Sequence, residues 1–166
     1  MNIHTVRRII RDLKSKIAQE TNDHLSQFGL KMNLIVTKHV VDRLFDRSLR
    51  MDVDIQNIEE MLQELMDFHL GKLMHKAFFD DDHQLIVYRS YKNNLVECLA
   101  LALDISATDN GEFQVIVRTF MPTASLTYVR QRDNLLLAPK RKVRLVSDLQ
   151  KMIYSDSCPE ALKILR

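Results

Sequence analysis

The chain has 166 residues, of which 46% are hydrophobic and 28% charged, and its formal net charge is +2. This balance is typical of a globular protein of about one domain and excludes the disordered and fibrous classes. No apolar run approaches the roughly 18 residues that cross a bilayer, so we expect a soluble cytoplasmic protein without a membrane partner.

An amphipathic helix is predicted at the start of the chain. Apolar residues recur there at steps of three and four, which places them on one helical face, and Gly29 is a plausible stop. The apolar face of this helix comprises Ile3, Val6, Ile10, Leu13 and Ile17. A short extended segment is predicted after the helix, at residues 34–36.

Two further helices are predicted before residue 70. Thr37 is a candidate N-cap for the first, and Asp54 for the second, because their side-chain oxygens can accept from free backbone N–H groups. The second helix is expected to end at His69, shortly before Gly71. The predicted buried faces comprise Val40, Val41, Leu44 and Phe45 in the first helix, and Ile58, Leu62 and Leu65 in the second.

An antiparallel sheet is predicted over residues 77–121. Apolar strands at 85–88 and 95–101 flank Lys92-Asn93-Asn94, which is typical of a hairpin. A second turn at Asp109-Asn110-Gly111 leads into an alternating strand over 113–120. Phe78 and Phe79 are expected to begin the sheet as a further strand.

The remainder, residues 122–166, is predicted to be a basic C-terminal extension. Residues 125–137 are predicted either to extend the sheet or to form a helix. Residues 146–154 and 159–164 are predicted as short helices. Because mainly helical residues 1–76 precede the sheet, the order favours a single α+β domain over an alternating α/β fold.

The motif Lys38-His39-Val40-Val41-Asp42-Arg43 carries the strongest chemical signal. Residues four apart lie on one helical face, so His39 and Arg43 can meet the same ligand. Imidazole transfers protons near neutral pH, and guanidinium donates to phosphate oxygens. The pair is therefore a candidate site for a phosphate ester, the alternative being a solvated helix face.

A second histidine, His69, is the candidate partner of His39 in acid–base catalysis. With two such groups, one can remove the 2′-hydroxyl proton of RNA while the other protonates the departing 5′-oxygen. DNA lacks that nucleophile. Candidate substrate-binding residues are Arg89, Tyr91 and Arg118 in the strands and Arg141 in the basic extension. His4, His24 and His75 are expected to be exposed bystanders, and His83 is expected to lie in a turn.

The sequence lacks the motifs that several other classes of functional site require. The three glycines do not form a phosphate loop, and neither G-x-S-x-G nor H-E-x-x-H occurs. Cys98 and Cys158 have no metal-binding spacing. Asp80-Asp81-Asp82 predicts a solvated turn, because adjacent side chains of an extended chain point in alternate directions. We therefore expect no metal and no cofactor.

The order of helices, K-H-x-x-D-R motif and strand Leu85-Ile86-Val87-Tyr88-Arg89-Ser90-Tyr91-Lys92-Asn93 resembles the bacteriophage RegB endoribonuclease family, over roughly residues 32–120. That family is similar in fold to the RelE/YoeB-type toxin ribonucleases. The resemblance implies a phage protein that cleaves messenger RNA in the host cytoplasm, without metal, to a 2′,3′-cyclic phosphate. It also implies catalytic roles for His39, Arg43 and His69.

Two alternatives remain open from the sequence. The low net charge is compatible with a noncatalytic phage protein that inhibits a host nuclease or a translation component. A toxin-like ribonuclease that acts only on the ribosome, or through a ribosomal protein, would rely on arginine and tyrosine more than on histidine.

Overall fold

The structure is a computed structural model and describes residues 2–46, 51–91, 94–121, 133–137 and 143–146. The helices are α1 (Ile3–Leu25), α2 (Lys38–Asp46), α3 (Met51–Phe68) and α4 (Leu70–Phe79). The strands are β1 (Lys31–Val36), β2 (Gln84–Tyr91), β3 (Asn94–Asp109), β4 (Glu112–Met121), β5 (Asp133–Leu137) and β6 (Val143–Val146). The helices therefore precede all described strands but β1, in agreement with the α+β class.

The chain divides into two compact units. The first contains the described residues of Met1–His83 and Asp104–Thr119, and the second those of Gln84–Leu103 and Phe120–Arg166. Strand β3 contributes residues to both units because it runs through residue 103.

In the first unit, short-range interactions define the two ends of α1. Asn2 caps the helix, since its Oδ1 accepts from Thr5 N at 2.9 Å. A single turn of 3₁₀-helix follows α1, and Gly29 then adopts a left-handed conformation with φ of 68°. The chain reverses there, and β1 packs back against α1.

The predicted apolar faces of the first unit are buried, except that Ile3 is half-buried and Phe45 is exposed. These faces belong to α1, α2 and α3, and α1 packs against both other helices. Strand β1 pairs in parallel with β4, whose other neighbour is β3. The helical core residues are Val6, Ile10, Leu13, Ile17, Val40, Val41, Leu44, Ile58, Leu62 and Leu65, and the buried strand residues include Met32, Leu34, Phe113, Val115 and Val117.

In the second unit, β2 lies between β3 and β5. The β2–β5 pair is parallel, and β5 pairs antiparallel with β6. Three consecutive residues of β2, Leu85, Ile86 and Val87, are buried. Because successive strand residues point to opposite faces, both faces of β2 are covered at this point.

The sheet is mixed and extends beyond the antiparallel meander that was predicted over residues 77–121. The β1–β4 and β2–β5 pairs are parallel, which makes the sheet mixed. Both pairs join strands that are distant in sequence, whereas the predicted hairpins concern sequence neighbours. The turn at Asn110 and Gly111 and the strand after it are confirmed.

Three helix predictions need correction. Phe78 and Phe79 lie in α4, because apolar periodicity continues through Leu73 and Ala77. Asp54 does not cap α3, which begins at Met51, and its side chain is buried within the helix. Phe45, which was predicted on the buried face of α2, is 38% exposed. The end of α3 at Phe68 agrees with the predicted boundary to one residue.

Some predictions concern residues outside the described part. They include residues 92–93 of the first hairpin turn and the short helices within 147–166. For the interval 125–137, residues 133–137 form β5, in agreement with the alternative that extends the sheet.

Candidate functional site

The N-terminus of α2 is attached to the second half of β4. Thr37 N donates to the Val117 carbonyl at 3.2 Å, and Thr37 Oγ1 donates to the Arg118 carbonyl at 2.9 Å. The Thr37 carbonyl in turn accepts from the first-turn N–H groups of Val40 and Val41. These bonds fix where the helix begins relative to the β1–β4 pair.

The exposed side of α2 carries the predicted histidine and arginine. His39 is exposed in the first turn, and Arg43 is half-buried one turn later. The buried side is occupied by Val40, Val41 and Leu44. The helix therefore presents an accessible imidazole while its apolar side anchors it to the core.

Arg118 adds a cation beside the start of this helix. It follows the β4 residue that pairs with Val36, and its carbonyl holds the Thr37 hydroxyl. Its side chain is 55% exposed and forms an ion pair with Asp104 at 3.0 Å. We name Thr37, Lys38, His39, Arg43 and Arg118 the α2 cluster; the first turn of a helix and the nearby cations favour an anion.

His69 lies at the junction of α3 and α4. Its N–H donates to the Leu65 carbonyl at 2.8 Å, and its carbonyl accepts from Lys72 and Leu73 in the first turn of α4. Its Nε2 is buried and has no hydrogen-bond partner among the described residues. Desolvation by burial lowers the pKa of His69, although the nearby Glu64 carboxylate acts in the opposite direction.

The two candidate catalytic histidines lie near opposite ends of β1. Residues on either side of His69, Asp67 and Leu70, share a cleft with the last turns of α1. That end of α1 holds the beginning of β1, since Asn22 binds Met32. The backbone from Met32 to Thr37 then spans about 16 Å before α2 begins. His39 and Arg43 thus share α2, whose start is bonded to the Arg118 backbone, while His69 lies toward the other end of β1. A two-histidine site stays a prediction.

The remaining predicted site residues belong to the second unit. Arg89 and Tyr91 lie in β2, but their side chains are outside the described part. Arg141 also lies outside it. Their roles in substrate binding stay predictions.

The acidic run and the other histidines take the positions of surface groups. Asp80 is tied to Lys76, whose Nζ lies 3.4 Å from its Oδ2, and its Oδ1 accepts from Asp82 N. Within the described residues, no group of three or more His, Cys, Asp or Glu side chains is placed to hold a metal ion. The predicted bystander histidines His4, His24 and His75 are exposed, and so is His83.

The structure also shows a cleft that the sequence did not predict. Its volume is about 240 Å³, and it is lined by Glu20, Thr21, His24, Met66, Asp67 and Leu70. These residues come from three helices, so no local spacing announces them. A second unpredicted feature is Lys76, which is 1% exposed; its spacing of four from Asp80 was the available signal.

Comparisons with known proteins give no relative for this chain. No family model, no curated protein and no solved structure matches it. None of the described helices is long and apolar enough to span a membrane.

Proposed function

We propose that this chain is a metal-independent endoribonuclease of RelE/YoeB-like type that cleaves messenger RNA. The observation that carries the proposal is the α2 cluster. An exposed His39 sits in the first turn of α2, Arg43 lies one turn along, and the carbonyl of Arg118 accepts from Thr37, which directly precedes the helix. This arrangement supports proton transfer beside a bound phosphate.

In the proposed reaction, His39 removes the proton from a ribose 2′-hydroxyl. The 2′-oxygen forms a bond to phosphorus, and the bond from phosphorus to the 5′-oxygen breaks. The departing oxygen takes a proton from imidazolium or water, which leaves a 2′,3′-cyclic phosphate and a 5′-hydroxyl. Arg43 and Arg118 stabilise the negative charge that gathers on the nonbridging oxygens.

The proposal is tested with the purified chain and end-labelled messenger RNA in the presence of a chelator. We expect site-specific fragments with cyclic-phosphate ends. His39→Ala should lower turnover about a hundredfold or more, the usual scale for loss of an acid–base group. His4→Ala is the matched control, since His4 is exposed on α1 and outside the α2 cluster. Unchanged cleavage by His39→Ala would exclude the proposal.

His69→Ala decides whether the second histidine takes part. A loss of turnover comparable to that of His39→Ala, with the thermal midpoint preserved, would make His69 the partner acid. Retained turnover would leave the chemistry to the α2 cluster alone.

A noncatalytic binding protein that inhibits a host nuclease or a translation component is the second candidate. The observation in its favour is the separation of His69 from His39, which leaves the α2 cluster with one imidazole among the described residues. Binding of RNA or of a ribosomal component without any cleaved product favours this role. Cleavage of ribosome-bound message alone favours the ribosome-dependent toxin type.

A further inference from the structure

We propose that the cleft between α1 and the α3–α4 junction binds an arginine side chain of a partner protein. All six lining residues belong to the first unit. The volume of about 240 Å³ lies below the roughly 300–1,000 Å³ of pockets that enclose whole ligands. A single long side chain therefore suits the cleft better than a cofactor does, and this inference does not depend on the proposed nuclease activity.

The charges in the cleft select a cation. Glu20 on α1 and Asp67 on α3 both line it, and neither has an ion-pair partner within the described residues. Asp67 accepts one hydrogen bond, from Gln63 Nε2 at 3.0 Å. A guanidinium has five donors in a planar fork and can bind two carboxylates at once, whereas an ammonium is a compact point charge. The pair of carboxylates therefore favours arginine over lysine.

Two exposed phenylalanines favour a protein as the source of that cation. Phe28 is 65% exposed, and its ring lies 5.7 Å from the imidazole of His24, which lines the cleft. Phe68 is 54% exposed and follows Asp67 directly. Apolar side chains beside the arginine of an extended segment can cover these rings, and a free amine cannot. The carboxylates repel RNA, so this surface is distinct in chemistry from the α2 cluster.

The test uses the full chain, labelled with nitrogen-15, and the probe peptide acetyl-Leu-Arg-Leu-amide. We expect saturable shifts in the backbone amides of residues 20–24 and 66–70. The peptide with citrulline in place of arginine keeps the shape but loses the charge. Its affinity should therefore be at least about tenfold lower than that of the arginine peptide. Equal affinity for both peptides, or no saturable shift up to about 10 mM arginine peptide, would overturn the proposal.

Three variants separate the cleft from general charge attraction. Glu20→Gln and Asp67→Asn should each weaken binding of the arginine peptide about fivefold or more, because each removes one charge-assisted partner. Asp23→Asn makes the same charge change at an exposed α1 position that does not line the cleft, and it should leave affinity unchanged. Equal weakening by Asp23→Asn, or an RNA oligonucleotide that shifts the same amides, would also overturn the proposal.

Discussion

The side chain of Asn22 binds the backbone of Met32 in the way that a neighbouring strand would. Its Oδ1 accepts from Met32 N at 2.7 Å, and its Nδ2 donates to Met32 O at 2.9 Å. In the described strand order, β1 has β4 on one side only. The amide of Asn22 therefore supplies, from α1, the pairing that the edge of β1 lacks at this residue.

Asn22→Ala should lower the free energy of unfolding by about 1–3 kcal/mol, because it leaves the Met32 N–H and carbonyl without partners in a partly buried position. Urea denaturation measures the change. Gln19→Ala is the matched control, since Gln19 is exposed on the same helix. Equal effects of the two substitutions would mean that the two hydrogen bonds contribute nothing to stability.

Alanine substitutions at the two left-handed glycines should have unequal costs. At Gly111, which has φ of 72°, an added Cβ would lie 2.6 Å from the carbonyl oxygen of Gly29. Backbone must then shift in addition to the strain of a positive φ, so Gly111→Ala should cost about 2–4 kcal/mol. Gly29 has φ of 68° and open space around it, so Gly29→Ala should cost only about 1–2 kcal/mol.

Gly71 provides the matched comparison for this pair. It lies in α4 with no atom within 4 Å of an added Cβ. Gly71→Ala should therefore raise the free energy of unfolding by about 0.5–1 kcal/mol, because alanine has the better helix propensity. Thermal denaturation ranks the three variants, and a Gly111→Ala protein no less stable than Gly29→Ala would contradict the close approach of the two glycines.

Local patterns explain what the sequence predicted correctly, and distant contacts explain what it missed. The stripe of α1 and the turn at Gly111 depend on neighbouring residues, so periodicity and turn chemistry find them. Helix α4 was missed because the charged Lys76 occupies a buried position on it. That lysine pairs with Asp80, and a hydrophobic pattern alone does not include such a partner.

The same distinction between local patterns and distant contacts applies to the candidate site. The spacing of His39 and Arg43 is local, and both lie on α2 as the motif indicates, His39 exposed and Arg43 half-buried. The position of His69 depends on how the α3–α4 junction packs against α1, and the cleft beside it is formed by three helices. Neither is a property of any short segment, which is why the sequence offered His69 only by the order of elements.

Acid should destabilise the fold through His69. Burial lowers its pKa below the ordinary histidine value of about 6.5, so the unfolded chain binds the proton at a higher pH than the folded chain does. As the pH falls through 6.5, the unfolded state gains the proton first and the free energy of unfolding decreases. This contribution becomes constant again below the pKa of the folded state.

Urea denaturation at a series of pH values measures this linkage. His69→Gln should remove the His69 part of the pH dependence, whereas His4→Gln, at an exposed position on α1, should retain it. If His69→Gln lost stability in acid as steeply as the unsubstituted chain, burial of its Nε2 would have no thermodynamic effect.

The ion pair between Arg118 and Asp104 allows a test of phosphate binding at the α2 cluster. The pair is solvent-accessible, so Asp104→Asn should change the free energy of unfolding by less than about 1 kcal/mol. Removing the carboxylate leaves the Arg118 guanidinium available to a phosphate and lowers local repulsion, so RNA should bind more tightly. Arg118→Gln should weaken RNA binding and reduce the slope of log affinity against log salt by about 1.

Asp81→Asn is the control, because it makes the same charge change as Asp104→Asn in an exposed turn, and it should have the smaller effect. Fluorescence anisotropy with a labelled RNA over a range of salt concentrations distinguishes the variants. Tighter binding by Asp81→Asn and Asp104→Asn alike would show that RNA responds to net charge and not to Arg118, and the cluster would then lose its proposed role as the phosphate site.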